Sequence, residues 1–421
     1  ERSTRVAIPS NAWAGLPRLA KVTAFKDWAK EDYFAGFEGA YLAGQVFAKQ
    51  DDTGNAQKYL ERAIKLNPSQ TEAHATLAAV YSRQRNYTGA LGAYLRVIEA
   101  DPSRAAAYQG LGEIYFRMLK WNEAVTALEK AVELNPAYKE GLFMIGNAND
   151  ELRNFGKAAE AYERFLKLNP EVSWTGHLRL GLSRLELQQY DLAVASLEEA
   201  QKAQPRDIKV NYSLAQAYKK AGQLDRAEAT FKDLATINPN EATTYYSEIV
   251  KMYDEAGRNE NAIEAARKVV ELNPKSEIAV YNLGIMFYKL KRYEEAIETF
   301  KQTLQVKMDY GPAYYNIGLC YSALKKPKES IEAFKNYVAL VPDNADAWLN
   351  IGLGYFSLKD YESALDPLKK CVELRPDYGL ALYHLAASYI NLKDNYSARD
   401  VYKTLVNVDP DLAEKLKKYL R

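Results

Sequence analysis

Asn282, Asn316 and Asn350 recur at intervals of 34 residues. An asparagine repeated at a fixed spacing on a regular scaffold suits one kind of recognition. Its carboxamide places a donor beside an acceptor, so it can pair with the C=O and N–H of one peptide unit. Three copies in register would hold an extended chain by its backbone without reading its side chains. Tyr281, Tyr315 and Tyr383 stand beside them, Tyr288 and Phe356 lie one helical turn or two further on, and His384 follows at the next interval. Such rings, apolar in body and polar at one edge, can line a peptide channel. The competing reading is that the asparagines bridge neighbouring helices and bind nothing. Each rung would contribute ~0.5–1.5 kcal/mol, so affinity needs several together.

Bond-making chemistry is poorly supplied. The chain has three histidines, and no two of them have metal-ligand spacing. His74 and His177 fall where packing residues are expected. Cys320 and Cys371 fall at positions held elsewhere by small or apolar residues and read as buried, inert thiols. No GxxxxGK[ST], GxGxxG or Gly-x-Ser-x-Gly sequence occurs. The 421 residues carry 56 basic and 55 acidic side chains, so bulk charge drives binding to neither nucleic acid nor a membrane surface. No apolar run approaches the ~20 residues of a membrane helix. We expect no catalysis, no metal and no cofactor.

The elements that must position these residues are set by a repeat. Pro68, Pro102, Pro136 and Pro170 are 34 residues apart, and Pro205, Pro239, Pro274, Pro342, Pro376 and Pro410 continue the beat, which is missed only at Met308. With each proline at position 32, repeats start at residues 37, 71, 105, 139, 174, 208, 243, 277, 311, 345 and 379. Position 8 is Gly or Ala in all but Val250, position 20 is Ala in all but Ser330, and position 11 is mostly Phe or Tyr. Positions 4, 7, 8 and 11 share one face of a first helix, and 20, 24 and 27 one face of a second. Proline at 32 forces its predecessor out of the α region and ends the second helix. At the missed beat, Pro312 can open the next helix instead. Each unit is a helical hairpin that buries its apolar side only by stacking on neighbours.

This pattern resembles the tetratricopeptide repeat. Tyr108, Gly112, Tyr115, Ala124, Leu128, Ala131 and Pro136 make one of the best copies, and the resemblance covers residues 37–412. It implies an all-α, right-handed α-solenoid, or superhelix, of about eleven helix-turn-helix units. Residues 1–36 form an N-terminal extension and cap, 37–410 the tandem repeats, and 411–421 a C-terminal capping helix. Asn149 and Arg184 replace the aromatic at position 11, so packing is expected to loosen there, and Pro367 inside a second helix should kink it or shift its start.

In that superhelix, first helices line the inner groove with positions 2, 5, 6, 9, 12 and 13. Position 6 gives the three asparagines and then His384, similar to the asparagine ladder of some peptide-binding members of the family. The candidate groove is therefore Tyr281, Asn282, Tyr288, Tyr315, Asn316, Asn350, Phe356, Tyr383 and His384. Glu140, Asp150, Glu151 and Glu186, then Lys209, Lys219 and Lys220, read as solvated faces. The family's carboxylate clamp needs Lys at position 5, which no repeat has, so docking on chaperone tails is disfavoured.

The function implied is a protein-interaction scaffold or adaptor, holding folded partners or an extended peptide within a multiprotein assembly. Two other readings remain: a self-associating component of a larger cell-envelope apparatus, or the targeting arm of an enzyme whose catalytic domain is absent. Neither nucleic acid nor membrane insertion is expected. The start at Glu1, like a processed or trimmed end, places a bacterial periplasm or envelope slightly ahead of the cytoplasm.

Overall fold

The computed structural model describes residues 36–168 and 173–420, so most of the expected N-terminal cap lies outside the described residues. The chain divides into two compact units, up to Ala221 and from Gly222 onward. Each is a run of antiparallel helical hairpins, and the fold is an all-α solenoid. The helices hold the repeat register closely. First helices occupy positions 1–13, as in Phe37–Lys49 and Glu277–Lys289, and second helices positions 17–30, as in Thr53–Leu66 and Tyr293–Val306. Repeat seven alone starts its first helix one residue early, at Ala242, after a short 3-10 turn at Pro239–Glu241.

Among the described residues, those before a repeat proline lie outside the α region, as the proline ring demands: Asn67 has φ −144°, Asn135 −135° and Asn273 −136°. Lys307, which precedes Met308, adopts φ −142° without that constraint. Pro312 lies in the first turn of Gly311–Ala323, as expected. The turn inside every hairpin uses a left-handed residue at position 15. Nine of these are not glycine, among them Leu119, Lys291, Lys325 and Lys359, with φ between 56° and 63°.

Within the hairpin, small position 8 meets large position 24. A Cβ placed on Gly284 would lie 2.6 Å from the Phe300 ring, and one on Gly318 2.7 Å from Phe334. No side chain fits between these helices, so the pair Gly–Phe or Gly–Leu sets their separation. Phe300, Phe334, Leu60, Leu128 and Leu368 are consequently fully buried, each worth roughly 1.5–3 kcal/mol of apolar transfer. Repeat seven exchanges the volumes, with Val250 at position 8 and Ala266 at position 24.

Successive repeats are tied at position 11. Tyr81 donates its hydroxyl to Glu61 at 2.7 Å and Tyr218 to Glu198 at 2.7 Å, in both cases reaching position 25 of the preceding second helix. Arg184 keeps that tie with Glu163, at 2.7 Å, and adds a bond to Ser196 Oγ at 2.6 Å. Asn149 is fully buried and donates to the Ile145 carbonyl at 2.9 Å. Around them Asp150 accepts from the Tyr162 hydroxyl at 2.7 Å and from Ser183 at 2.8 Å. At Asn149 and Arg184, hydrogen bonds take the place of the missing aromatic surface. In the second unit the same contact becomes cationic, with Lys335 over the Tyr355 ring at 5.3 Å and Arg267 over Phe287 at 5.4 Å.

Pro367 leaves the start of its helix unshifted. The helix Tyr361–Leu374 starts at position 17 like the others and runs through the buried proline, its N-terminus capped by Asp360. Near the chain's end, the helix Pro410–Lys417 is a turn shorter than the sequence pattern of 411–421. It buries Ala413 and Leu416 against Leu382, Ala386 and Leu405.

Candidate functional site

All nine predicted groove residues lie in the second unit, on first helices Glu277–Lys289, Gly311–Ala323, Ala345–Ser357 and Gly379–Asn391. Positions 6, 9 and 12 lie away from the hairpin core, whereas position 5 borders it: Leu349 is buried in the core, and Tyr281 and Tyr315 pack on Phe300 and Phe334. The three asparagines, identical in register, differ in environment. Asn282 is exposed, and its side chain makes no hydrogen bond among the described residues. Asn316 is only 9% exposed, and its amide donates to the Tyr281 hydroxyl at 2.8 Å and the Pro312 carbonyl at 3.0 Å. Asn350 is half-buried and donates once, to the Asp346 carbonyl at 2.7 Å, which leaves its second N–H and its carbonyl. Asn282 and Asn350 therefore present amide groups, while Asn316 links two repeats through Tyr281.

The rings are braced from behind. Tyr281 packs on Phe300 at 5.5 Å and edge-on to Tyr310 at 5.2 Å, and Tyr315 packs on Phe334 at 5.4 Å and Tyr337 at 5.0 Å. Tyr288 meets Tyr293 and Phe356 meets Tyr361, both edge to face. Burial raises the hydroxyl pKa of Tyr281, Tyr288 and Tyr315, so all three remain neutral donors. His384 sits between Phe356, at 4.7 Å, and Tyr383, at 5.1 Å. Its Nδ1 is buried without a partner, and burial lowers its pKa to about 4.

Ile285, Leu319 and Leu353, at position 9 of successive repeats, join this face half-buried. They were missed in the sequence although the register displays them plainly. Groove positions of repeats eight to eleven contain only two charges, Lys289 and Asp346. Both are already paired, Lys289 with Asp254 at 3.3 Å, and Asp346 with Arg375 at 3.3 Å and the Tyr378 hydroxyl at 2.9 Å. In the first unit, Asp150 of the acidic patch is held in the hydrogen bonds described above, and its desolvation raises its pKa.

Sequence profiles described as tetratricopeptide repeat match residues 41–105, 110–173, 184–247, 250–309, 311–344, 345–378 and 380–411. The chain belongs to the tetratricopeptide-repeat family. Repeats of this family build protein-interaction scaffolds. Among solved structures, Naa15/Naa10 bound to HypK-THB is similar over 91% of this chain and 65% of that one, at 16% identity and a TM-score of 0.48. MamA is similar over 43% of this chain and 96% of its own, at 24% identity and a TM-score of 0.38. YrrB, described as a TPR protein with an unusual peptide-binding site, covers 45% of this chain and 97% of its own, at 22% identity and 0.39. These likenesses concern the fold alone. No curated protein matches the chain.

Among the described residues, no group of three or more His, Cys, Asp or Glu side chains could hold a metal ion. No described helix is long and apolar enough to cross a membrane. Cys320 and Cys371 are fully buried, and burial pushes their thiols up to about 12 and about 11. His74 bonds the Pro68 carbonyl at 2.9 Å, and the half-buried His177 has its pKa lowered by desolvation.

Proposed function

We propose that this protein is a non-catalytic adaptor that holds an extended, largely uncharged peptide segment along the first helices of repeats eight to eleven. The observation that carries this reading is the composition of that face. Its two charges are neutralised internally, its tyrosines are braced by buried rings, and Asn282 and Asn350 offer amide groups beside them. A rigid aromatic surface costs little ordering entropy on binding, and a few free amides can satisfy a peptide backbone that would otherwise lose water. Backbone pairing at Asn282 and Asn350 supplies only ~1–3 kcal/mol together. Most of the affinity then comes from apolar contact with Tyr288, Ile285, Leu319, Leu353 and Phe356.

The test is a pull-down from extract of the source cell with wild type and with Asn282→Ala/Asn350→Ala, leaving Asn316 intact because its amide bonds within the fold. Loss of a partner at unchanged helicity supports the groove. Retention of every partner moves binding to another face. Recovery of the chain alone, with a sedimentation mass that rises with concentration, would replace the adaptor by self-assembly.

A further inference from the structure

Repeat seven breaks the rule that shapes every other hairpin. In the other ten repeats position 24 is Leu, Phe or Tyr, and in repeat seven it is Ala266. Val250 at position 8 returns part of the lost volume on the opposite helix, but not all of it. What remains is a cleft of about 350 Å³ between the first helices of repeats seven and eight. Buried Ala266 and Met286 form its floor, and half-buried Val250, Val269 and Ile285 its walls. Its rim is polar. Asn282, the one groove asparagine with no internal bond, stands at the edge, and so do Lys251, Asp254 and Lys289. Asp254 and Lys289 neutralise one another at 3.3 Å. Lys251 is exposed and makes no ion pair among the described residues, so the charged residues lining the cleft sum to one positive charge.

We propose that this cleft is a socket for one aliphatic side chain of an extended peptide, with an acidic residue next to it in the sequence meeting Lys251. The inference rests on the groove reading above and adds the anchor that fixes the peptide's register. The walls are mostly apolar, and the hydroxyl of Ser247, which also lines the cleft, is spent on the Thr243 carbonyl at 2.7 Å, which suits a Leu, Ile or Met side chain. Asn282 at the rim can then pair with the backbone of the inserted residue, and Lys251 selects the charge of its neighbour. The register matters because backbone pairing alone would let the peptide slide by one residue.

The test uses the full chain and random peptides of about twelve residues, roughly 40 Å when extended, selected by display and then measured by fluorescence anisotropy. The informative variant is Val250→Gly/Ala266→Phe. It recreates the pair found next door at Gly284 and Phe300, so it should fold while filling the socket. Selected peptides should share one aliphatic residue with an acidic neighbour and bind this variant ~10- to 100-fold more weakly, the loss expected for one buried aliphatic side chain. Lys251→Glu should reverse the preference for an acidic neighbour at unchanged aliphatic preference, and it serves alone if the double variant does not fold. Peptides without a shared aliphatic residue, or binding to the double variant within twofold of wild type, would overturn the socket. If those peptides still depend on Asn350 and Phe356, the groove stands and only the socket falls. If no peptide is selected at all, the groove reading fails with it.

Discussion

At the scale of single residues, His384 shows how a residue of the proposed groove is tuned by its surroundings. Two aromatic rings flank it and its Nδ1 has no partner, so protonation would place a charge where no described group accepts it. Its pKa falls from an ordinary 6.5 to about 4. Between these values the unfolded chain binds a proton that the folded chain does not. Stability is therefore complete above about pH 6.5 and declines as the pH falls toward 4. Allowing for its partial exposure, the loss is on the order of 1–2 kcal/mol. We expect residues 379–408 to exchange amide hydrogens faster at pH 4.5 than at pH 7.5, after correction for the intrinsic rate. His384→Phe should remove most of that difference, and an undiminished difference would assign it to another group. The sequence placed His384 in the groove register, but its missing partner is a property of three side chains brought together by folding. The same holds for Asn316, whose bond to Tyr281 crosses 35 residues of sequence. Periodicity orders positions on a helix face; it does not tell which of three identical amides finds an internal partner.

Elements were the most legible level, because proline, small residues and aromatics recur with the hairpin's own period. Helix boundaries follow the register to the residue in nearly every repeat. Less legible was what replaces a pattern residue when it is absent. Arg184 looked like a packing defect, yet it makes the tie to position 25 that Tyr81 and Tyr218 make elsewhere. Polar contacts were invisible in a pattern read for apolar faces. Pro367 does not move its helix start, because ~3 kcal/mol of local cost is weighed against an entire buried hairpin face. Met308 gives the converse. Lys307 already has the extended backbone that a following proline requires, and the N–H of Met308 donates to no backbone carbonyl among the described residues. Met308→Pro should therefore stabilise the chain by ~0.4–1 kcal/mol through loss of unfolded-state freedom. The urea midpoint would rise. A fall would show that position 32 of this repeat has a backbone the ring cannot adopt.

Across the whole molecule, stability is local in origin. Each hairpin is buried by its neighbours in sequence, with ties such as Lys335–Tyr355 and Asn316–Tyr281 joining one repeat to the next. In such an array damage should spread by nearest-neighbour coupling and fade with distance. Gly352→Phe tests this in full. A Cβ there lies 2.6 Å from the Leu368 side chain, so a ring cannot enter without parting the helices Ala345–Ser357 and Tyr361–Leu374. Overpacking of this kind costs ~1–3 kcal/mol at least. Hydrogen exchange should accelerate most in residues 345–374, less in 311–340 and 379–408, and not measurably in 37–134. The proposed groove lies within the weakened segment, so any peptide binding there should fall while the first unit keeps its native protection. Uniform acceleration along the chain would mean that all repeats unfold as one cooperative body. In that case the cleft at repeat seven and the amides of repeats eight and ten could not be altered independently, and every variant of the proposed groove would have to be judged against the stability of the entire array.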